Sequence, residues 1–489
     1  MTTAQRDGFP QLLHAEWTKL RTVRGWVAGL AVTALVTVLI GLFSALGSHT
    51  ACGDDKCDPT VPAGPGGQAV TDSFFFVHST LTGDGTLTAR VSPLTGTRGV
   101  EPWAKAGIIV KDGTTRGSAY AALMQTGARG VRMQHNFTED IAAPAGAWLR
   151  LTRTGDTIRG SVSADGITWA DAGAVDLPGL PETIEAGLFA TSPSHNVIAD
   201  GRLGGTKITG GPTQVSATFN GITRDGAFTE GWRGDDLGAD SMSYPSLGGG
   251  FTESGGAITV RGSGDIAPAV TGDGETIEQS LVGAFAGLIA AVVVGTLFAT
   301  SEYRRGLIRT TLLASPRRER VLAAKALVLG TVTFVAALAG ALIAVPLGRA
   351  ILRGNGNILI PVPTATELRV IVGTAALIAV AAVFALAVGS LLRRSAGAVA
   401  IGIATLVLPY LLATSSVLPS GVAQWLLRVT PAAAFAVQQS IPEYPQVLAT
   451  YTPAQGYYPL PPWGGFAVLC AYAAAALGLA MYALRRRDA

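Results

Sequence analysis

The sequence has little charge for its length: Asp, Glu, Lys and Arg make up 14% of the 489 residues, whereas 48% are hydrophobic. Soluble domains usually carry about a quarter charged residues, so this composition indicates a membrane protein. The net charge of +3 is too small to favour a nucleic-acid partner. The arginines instead cluster beside apolar runs, where they set the orientation of membrane spans.

The sequence also lacks a Gly-x-x-x-x-Gly-Lys-Ser/Thr segment, the loop whose backbone amides cradle nucleotide phosphates. We therefore expect no ATP hydrolysis and no cofactor in this chain. The long apolar runs contain almost no ionisable residues, which disfavours coupling to protons or sodium ions, because such transporters usually need carboxylates or histidines within the membrane. If the chain transports a substrate, the energy must come from a separate subunit.

Cysteine is scarce as well, with only Cys52, Cys57 and Cys470. Cys52 and Cys57 lie close together in a Gly/Pro/Asp-rich stretch, which predicts a small disulfide loop if that stretch is outside the membrane, with free thiols as the alternative. A metal site is not expected there, since two cysteines without a nearby histidine do not complete a coordination sphere. Cys470 lies inside an apolar run and is interpreted as a packing residue.

Six apolar runs are long enough to cross a bilayer. Because the tight basic clusters then all fall on one side, we expect both termini to be cytoplasmic in a multi-pass protein of the cell membrane. Residues 47–279 would be extracytoplasmic. The predicted spans are 26–46 and, at approximate bounds, 280–300, 326–348, 367–391, 396–414 and 464–484.

A basic cytosolic loop over 301–325 separates the second and third spans. It holds seven Lys or Arg residues against Glu302 and Glu319: Arg304, Arg305, Arg309, Arg317, Arg318, Arg320 and Lys325. Pro316 interrupts it, and its apolar residues do not separate from its arginines on a helical wheel. The shape of this loop therefore stays open.

Residues 1–25 are predicted to form an interfacial helix ahead of the first span. Leu12, Leu13, Trp17, Leu20 and Val23 share its apolar face, with Lys19 and Arg21 outside that face. Glu16 falls within the apolar arc. Either a salt bridge to a neighbouring arginine or a contact with a partner subunit would account for it.

The region 47–279 contains no apolar run that could span a membrane, and its hydrophobic residues alternate with polar ones. Leu87, Ala89 and Val91 alternate in this way, and Asp165 with Gly166 marks a hairpin turn. Period-two alternation between turns predicts an all-β sandwich. The overall fold class is thus six transmembrane helices with a β-sandwich inserted between the first and second.

Four segments of this region resemble the concanavalin A-like lectin/glucanase superfamily, a jelly-roll sandwich with a core over about 72–225. They are FFFVHSTLTGDGTLTARV, EPWAKAGIIVKDG, WLRLTRTGDTIRGSVSADGITW and AGLFATS. The segment 256–266 resembles the strand that usually precedes the first of these. We expect it to pair with residues 74–76 and so bring both ends of the domain together at the membrane.

The resemblance implies a glycan or a hydrophobic ligand as a possible partner of this domain. Hydrolysis of a glycosidic bond is not expected, because the family's Glu-x-Asp-x-x-Glu run is missing. Glu182 and Glu185, the nearest approach to it, are predicted to lie on a Pro-flanked loop. Trp103, Trp148 and Trp169 are either sugar-stacking residues or, preferably, core aromatics.

The outer segment 415–463 combines apolar and aromatic residues. Val422, Trp425, Leu426 and Val429 share one side of a possible short helix, and the apolar AAAFAV follows Pro431. We expect this segment to enter the outer leaflet as a re-entrant or interfacial helix. The tyrosines that follow suit an aromatic belt.

Residues 1–50 and 280–489 resemble the ABC-2 type permease family of ABC transporters, through HAEWTKLRTVRGW, TSEYRRGLIRTTLLASPRRERVLAAKAL and YALRRRDA. The resemblance implies a permease that works as a homodimer or heterodimer in membrane lipid with a separate ATP-binding subunit. Members of this family are mostly exporters, so export is the expected direction. By this resemblance, the subunit contacts would be Glu302, Tyr303, Arg304, Arg305, Gly306 and Arg309. A basic loop that only sets topology is the alternative for these residues. For the whole chain, the alternative is a lectin-like binding or sensory protein on a membrane anchor, without transport.

Overall fold

The computed structural model describes residues 8–49, 61–200, 206–238, 247–304, 317–415 and 417–486. The predicted disulfide partners Cys52 and Cys57 lie outside these ranges. Within them the chain forms an α-helical bundle and a large antiparallel β-domain, which is inserted after the first two helices. The predicted fold class is confirmed.

Six of the described helices are long and apolar enough to cross a membrane. They are α2 (Arg24–Gly47), α3 (Ala284–Arg304), α4 (Arg318–Gly354), α5 (Thr364–Leu392), α6 (Ser395–Thr414) and α8 (Pro462–Arg486). Two shorter helices are α1 (Phe9–Thr22) and α7 (Ser420–Val429). A π-helical turn, Ile403–Val407, interrupts α6.

Helix α5 is the centre of the bundle. Over its most apolar window 78% of residues are buried, against 22% in α2, whose surface is left for lipid. Small residues allow close packing around α5: a Cβ added to Gly295 of α3 would lie 2.3 Å from the Ala382 carbonyl oxygen. Such close backbone approach is the usual basis of helix association in membranes.

The β-domain is built from short antiparallel strands. Their bounds are β1 (Val70–Asp72), β2 (Phe74–Val91), β3 (Thr95–Gly96), β4 (Lys105–Lys111), β5 (Tyr120–Thr126), β6 (Val131–His135), β7 (Glu139–Ala142), β8 (Trp148–Thr154), β9 (Thr157–Ser163), β10 (Ala170–Asp176), β11 (Thr183–Thr191), β12 (His195–Asp200), β13 (Thr206–Gly211), β14 (Val215–Phe228), β15 (Arg233–Leu237), β16 (Gly250–Ser254), β17 (Ala257–Gly262) and β18 (Ile266–Pro268).

The long strand β2 organises this domain. Its first half pairs with β11 and β15, and its second half with β8 and β14. The alternation at Leu87 and Ala89 places both in the buried core, as predicted. The hairpin predicted at Asp165 and Gly166 joins β9 to β10, and hydrogen bonds from the Thr168 and Ile167 amides lower the pKa of the Asp165 carboxyl below its usual range.

The predicted pairing between 256–266 and 74–76 is wrong. Strand β17 pairs with β14 and β16 instead, because β11 and β15 already occupy both hydrogen-bonding edges of β2 at residues 75–78. The ends of the domain meet instead at β1, the strand before β2. There β1 pairs with β18, and Asp72 lies opposite Ile266. The expected closure is therefore present, but through other residues.

Two buried lysines at the ends of β4 hold this closure. The Lys111 ammonium lies 2.8 Å from an Asp72 carboxylate oxygen, and that of Lys105 lies 2.7 Å from Asp265, with side chains at most 4% exposed. Lys105 also donates to the Ile266 carbonyl at 2.7 Å. One strand thus fixes the entry and the exit of the whole domain.

Replacing Lys111 by Met should destabilise the β-domain by roughly 3–5 kcal/mol, because the buried Asp72 carboxylate would lose its counter-charge. The thermal unfolding of the full chain, followed by tryptophan fluorescence, measures this. The matched control is Arg159→Met in the exposed Arg159–Asp171 pair, where side chains are 58% and 61% exposed and the loss should be about 0–1 kcal/mol. Equal losses in both variants would contradict the anchoring role.

The β-domain rests on the segments that join the helices at one end of the bundle. The Gln446 side chain donates to the Thr138 carbonyl at 2.9 Å, and the Tyr457 hydroxyl accepts the Thr271 amide at 3.3 Å. After α7, whose Trp425 is 60% exposed, the 3-10 helix Pro431–Gln438 is buried throughout. Entry of this segment into the outer leaflet stays a prediction.

Asp273, at this junction, makes stability depend on pH. Burial and the charge of Asp265 raise the pKa of the Asp273 carboxyl to about 6, although the Val270 amide donates to it. The folded chain then binds this proton more tightly than the unfolded chain, whose pKa is about 3.9, so its contribution is present below pH 4 and lost as pH rises through 6. An Asp273→Asn variant should lose less stability than wild type between pH 4.5 and 7.5, measured as melting temperature. An identical loss in both proteins would rule this out.

Candidate functional site

Helix α1 lies across the end of the bundle that is opposite the β-domain, which we call the basic end. The chain turns between α1 and α2 because Val23 is extended, with φ −90° and ψ 104°. Lys19 and Arg21 lie in the last turn of α1, where cations complement the helix dipole. Leu20 is 2% exposed and joins the main apolar core of the bundle. Packing therefore fixes the position of α1.

Glu16, the acidic residue predicted on the apolar face of α1, is 2% exposed. One of its carboxylate oxygens lies 2.7 Å from the Lys325 ammonium of α4, and the other lies 2.7 Å from Lys19. Of the two interpretations, the intramolecular salt bridge is observed, although its partners are lysines instead of arginine. A buried carboxylate is tolerated here because two cations surround it.

Glu302, near the end of α3, completes the cluster. Its carboxylate accepts from Lys325 at 2.8 Å and from Lys19 at 3.3 Å. Glu302 and Lys325 are only 8% and 4% exposed. We call these four residues, Glu16, Lys19, Glu302 and Lys325, the four-charge cluster. It joins α1 to the consecutive helices α3 and α4, from which α1 is far apart in sequence.

The cluster is electrically balanced, with two carboxylates and two ammonium groups. Burial alone would lower the pKa of Lys19, but the hydrogen bond and charge of Glu16 and the charge of Glu302 raise it above its usual value. Lys19 therefore keeps its charge at physiological pH. The Lys325 ammonium also lies 4.4 Å from the centroid of the Phe298 ring, a favourable cation–π distance.

A second layer of contacts extends the cluster to the other helices of the basic end. The Arg393 guanidinium, in the turn between α5 and α6, lies 5.1 Å from the Tyr303 ring centroid. Arg318, at the start of α4, donates to the Leu484 carbonyl of α8 at 2.9 Å. Arg485 forms a salt bridge with Glu319. All of α1, α3, α4 and α8 are thus connected at this end by polar contacts.

The structure brings some of the predicted site residues together and leaves others apart. Glu16, Lys19 and Glu302 come together in the cluster, with Tyr303 half-buried beside it. Trp17 is 42% exposed and borders an apolar groove with Leu13, as an interfacial helix requires, and Arg21 is exposed. Arg304 ends α3. The remaining three predicted contacts, Arg305, Gly306 and Arg309, lie outside the described residues.

The sequence interpretation missed Lys325 as a buried partner. The predicted span began after it, at about 326, so it was counted with the loop. The helix actually begins at Arg318, which places Lys325 inside α4 and on its buried face. An ionisable residue within a span is itself a sign of a specific partner. Glu16 in an apolar arc and Lys325 in an apolar run therefore both indicated the same buried salt bridge.

The β-domain contains a smaller polar site. His78, which is 2% exposed, lies between the Glu185 and Asp235 carboxylates at 2.6 and 2.8 Å. Within the described ranges no group of three or more His, Cys, Asp or Glu is arranged to hold a metal ion. Glu182, the other predicted carboxylate, is exposed.

The three tryptophans separate in the structure. Trp103 is 4% exposed and is a core residue, as preferred. Trp148 and Trp169 are half-buried, and the Arg150 guanidinium covers the Trp169 ring at 3.7 Å from its centroid.

Replacing Lys325 by Met should destabilise the chain by about 3–5 kcal/mol, because two buried carboxylates would lose their shared cation. The melting temperature of the purified chain measures this loss of stability. Limited proteolysis within α1 should also increase. Arg21→Met, which changes an exposed cation of the same helix, is the control and should alter neither. Adding Glu302→Gln to Lys325→Met should recover part of the loss, because it removes one unpaired charge. A loss no larger than that of the control would show that the cluster does not hold α1.

Comparisons with curated proteins and with solved structures do not place this chain in a family. A search of curated proteins finds no match. Among solved structures, a functionally unknown protein from Saccharomyces cerevisiae is 18% identical with a TM-score of 0.19, covering 30% of this chain and 72% of that one. SCP-B, an eqolisin-family peptidase solved with the tripeptide Ala-Ile-His, is 10% identical with a TM-score of 0.24, covering 39% and 98%. Likenesses at these scores establish neither fold nor activity.

Comparison with family models, in contrast, identifies the family of this chain. A family model described as ABC-2 family transporter protein matches residues 124–489, which is more than half of the chain. The match begins inside the β-domain and includes α3 to α8, with the part of the four-charge cluster that Glu302 and Lys325 provide. The chain belongs to the ABC-2 family of transporters.

Proposed function

We propose that this chain is the permease subunit of an ABC-2 exporter, and that a separate ATP-binding subunit docks on the basic loop between α3 and α4. The observation that supports this best is the four-charge cluster. It ties both ends of that loop, through Glu302 and Lys325, to each other and to α1. A loop that only set topology would not need its two ends joined by a buried ion pair.

We give the proposed docking residues two roles, anchoring the loop and contacting the partner. Glu302 is turned inward, and we assign it the role of anchoring the loop rather than contacting the partner directly. Tyr303 is half-buried, stacked near Arg393. The residues that we propose to contact the partner subunit are then Arg304, Arg305, Gly306 and Arg309. Arginine suits this role because its planar guanidinium pairs bidentately with carboxylates.

The basic end can transmit a displacement of the loop as a unit. A force on the loop acts on α3 at Glu302 and on α4 at Lys325, and the cluster passes it to α1. The contacts from Arg318 to Leu484 and from Arg485 to Glu319 connect α8. Because packed interfaces shift between discrete arrangements, such a unit could move between two orientations as the ATP-binding subunit binds and hydrolyses ATP. Alternating access of the spans would follow.

The orientation of the chain follows from its charges. In this proposal the basic end faces the cytoplasm, with both termini, and the β-domain faces outward from the cell membrane. The transport unit is a dimer of two copies or of this chain and a paralogue, surrounded by lipid. The β-domain would guide or capture the substrate, a hydrophobic molecule or a glycan, on the outer face. Sugar stacking on Trp169 would first have to displace Arg150.

Cross-linking in cells tests the docking. A photo-reactive amino acid at Arg305 or Arg309 should capture a protein that contains a nucleotide-binding loop, identified by mass spectrometry. The double variant Arg304→Glu/Arg305→Glu should abolish co-purification of that subunit, because reversed charges would meet carboxylates. Arg353→Glu, an exposed charge at the opposite end of the bundle, is the control and should leave the complex intact. Transport activity without any ATP-binding subunit, or an intact complex in the double variant, would overturn the proposal.

A further inference from the structure

A cavity of about 540 Å³ opens at the β-domain end of the bundle. Its walls come from the ends of α2, α3 and α6, from the buried segment Pro431–Gln438, and from the loop around Pro453–Gln455. None of the described residues that line it is Lys, Arg or His. It therefore combines access from the membrane with a wall that carries no positive side chain.

One side of the cavity is aromatic. The Phe285 and Tyr410 ring centroids are 5.3 Å apart, and those of Tyr410 and Phe435 are 3.9 Å apart. Beside these rings, Ile40 and Leu411 are 41% and 46% exposed on the outer surface of the bundle. The aromatic side thus continues into a surface that lipid chains would cover.

The other side of the cavity is acidic. Glu278 is held in place, since both its carboxylate oxygens accept hydrogen bonds from Ser440. Glu275 has one hydrogen-bond partner for its carboxylate within the described ranges, the Ser48 hydroxyl at 3.4 Å, and it forms no ion pair there. Arg369 does not line the cavity, although its charge interacts with that of Glu278. Its guanidinium donates to the Gln439 carbonyl at 2.6 Å. Glu275 is therefore the carboxylate left available to a ligand.

From this arrangement we infer that the cavity binds amphiphiles with a cationic amine headgroup and an aliphatic tail. Tyr410 and Phe435 stack on each other and Phe435 is only 1% exposed, so the half-buried ring of Phe285 is the one that attracts an alkylammonium group through its quadrupole. The Glu275 carboxylate, which lines the same cavity, adds a direct charge interaction. The tail would leave between Ile40 and Leu411 towards the outer leaflet. The inference deepens the proposed function by naming a substrate class, although binding itself requires no ATP-binding subunit.

Equilibrium dialysis tests this with the full chain in nanodiscs and radiolabelled dodecyltrimethylammonium. Dodecyl sulfate and dodecyl maltoside carry the same tail with an anionic or neutral headgroup, and empty nanodiscs correct for partition into lipid. The cationic probe should bind at least about 10-fold more tightly than the other two. Glu275→Gln should lower the affinity for the cationic probe by about 5–10-fold, and Phe285→Leu by about 5-fold. Glu182→Gln, on the exposed surface of the β-domain, is the matched control and should change nothing.

Equal binding of the three probes would overturn the inference, as would a Glu275→Gln variant that binds all of them as wild type does. A parallel loss for all three probes would also overturn it, because it would indicate altered packing in place of lost charge recognition. The assay contains neither ATP nor the partner subunit. Its failure therefore leaves the docking proposal standing, and failure of the cross-linking experiment leaves this cavity's chemistry untouched.

Discussion

The position of Lys325 between two carboxylates is the interaction on which the basic end of the structure depends. An ammonium group buried in an apolar bundle is costly unless it is paired. Lys325 is paired from two helices at once, because α1 supplies Glu16 and α3 supplies Glu302. Leu20 already packs α1 into the apolar core, and the salt bridges add specific contacts of α1 with α3 and α4. The pair of Glu302 and Lys325 brings the ends of the basic loop together.

The β-domain uses the same physical device for a different purpose. Lys105 and Lys111 are buried at the two ends of β4, and each pairs with a carboxylate beside the strands where the chain enters and leaves the domain. An insertion of this size must return the chain close to its starting point, because α2 and α3 pack against each other. The two lysine pairs fix that return, with Asp72 in β1 and Asp265 directly before β18. At both ends of the molecule, removal of one partner of a buried pair is costly because it leaves an uncompensated charge.

The sequence predicts local and periodic features of this chain well. Apolar runs indicate the six spans because a bilayer imposes a minimum length on each of them. The alternation around Leu87 predicts a half-buried strand for a similar reason. What the sequence does not reveal is which distant residues meet. Glu16 stands out in an apolar arc, but its partner Lys325 is 309 positions away. The pairing expected for 256–266 was wrong because the alternation within a strand says nothing about whether its neighbour's edges are free.

In the proposed mechanism, α1, α3 and α4 move as one unit when the ATP-binding subunit acts on the loop. Spin labels at the exposed positions Arg21 on α1 and Arg320 on α4 report on it directly, in a chain whose three cysteines are replaced. The distance between the labels is measured by pulsed electron paramagnetic resonance in the nucleotide-free and ATP-bound complexes. We expect the same narrow distance distribution in both states, and a broad one when Lys325 is replaced by Met. A distance that changes on ATP binding in the otherwise native chain would contradict it.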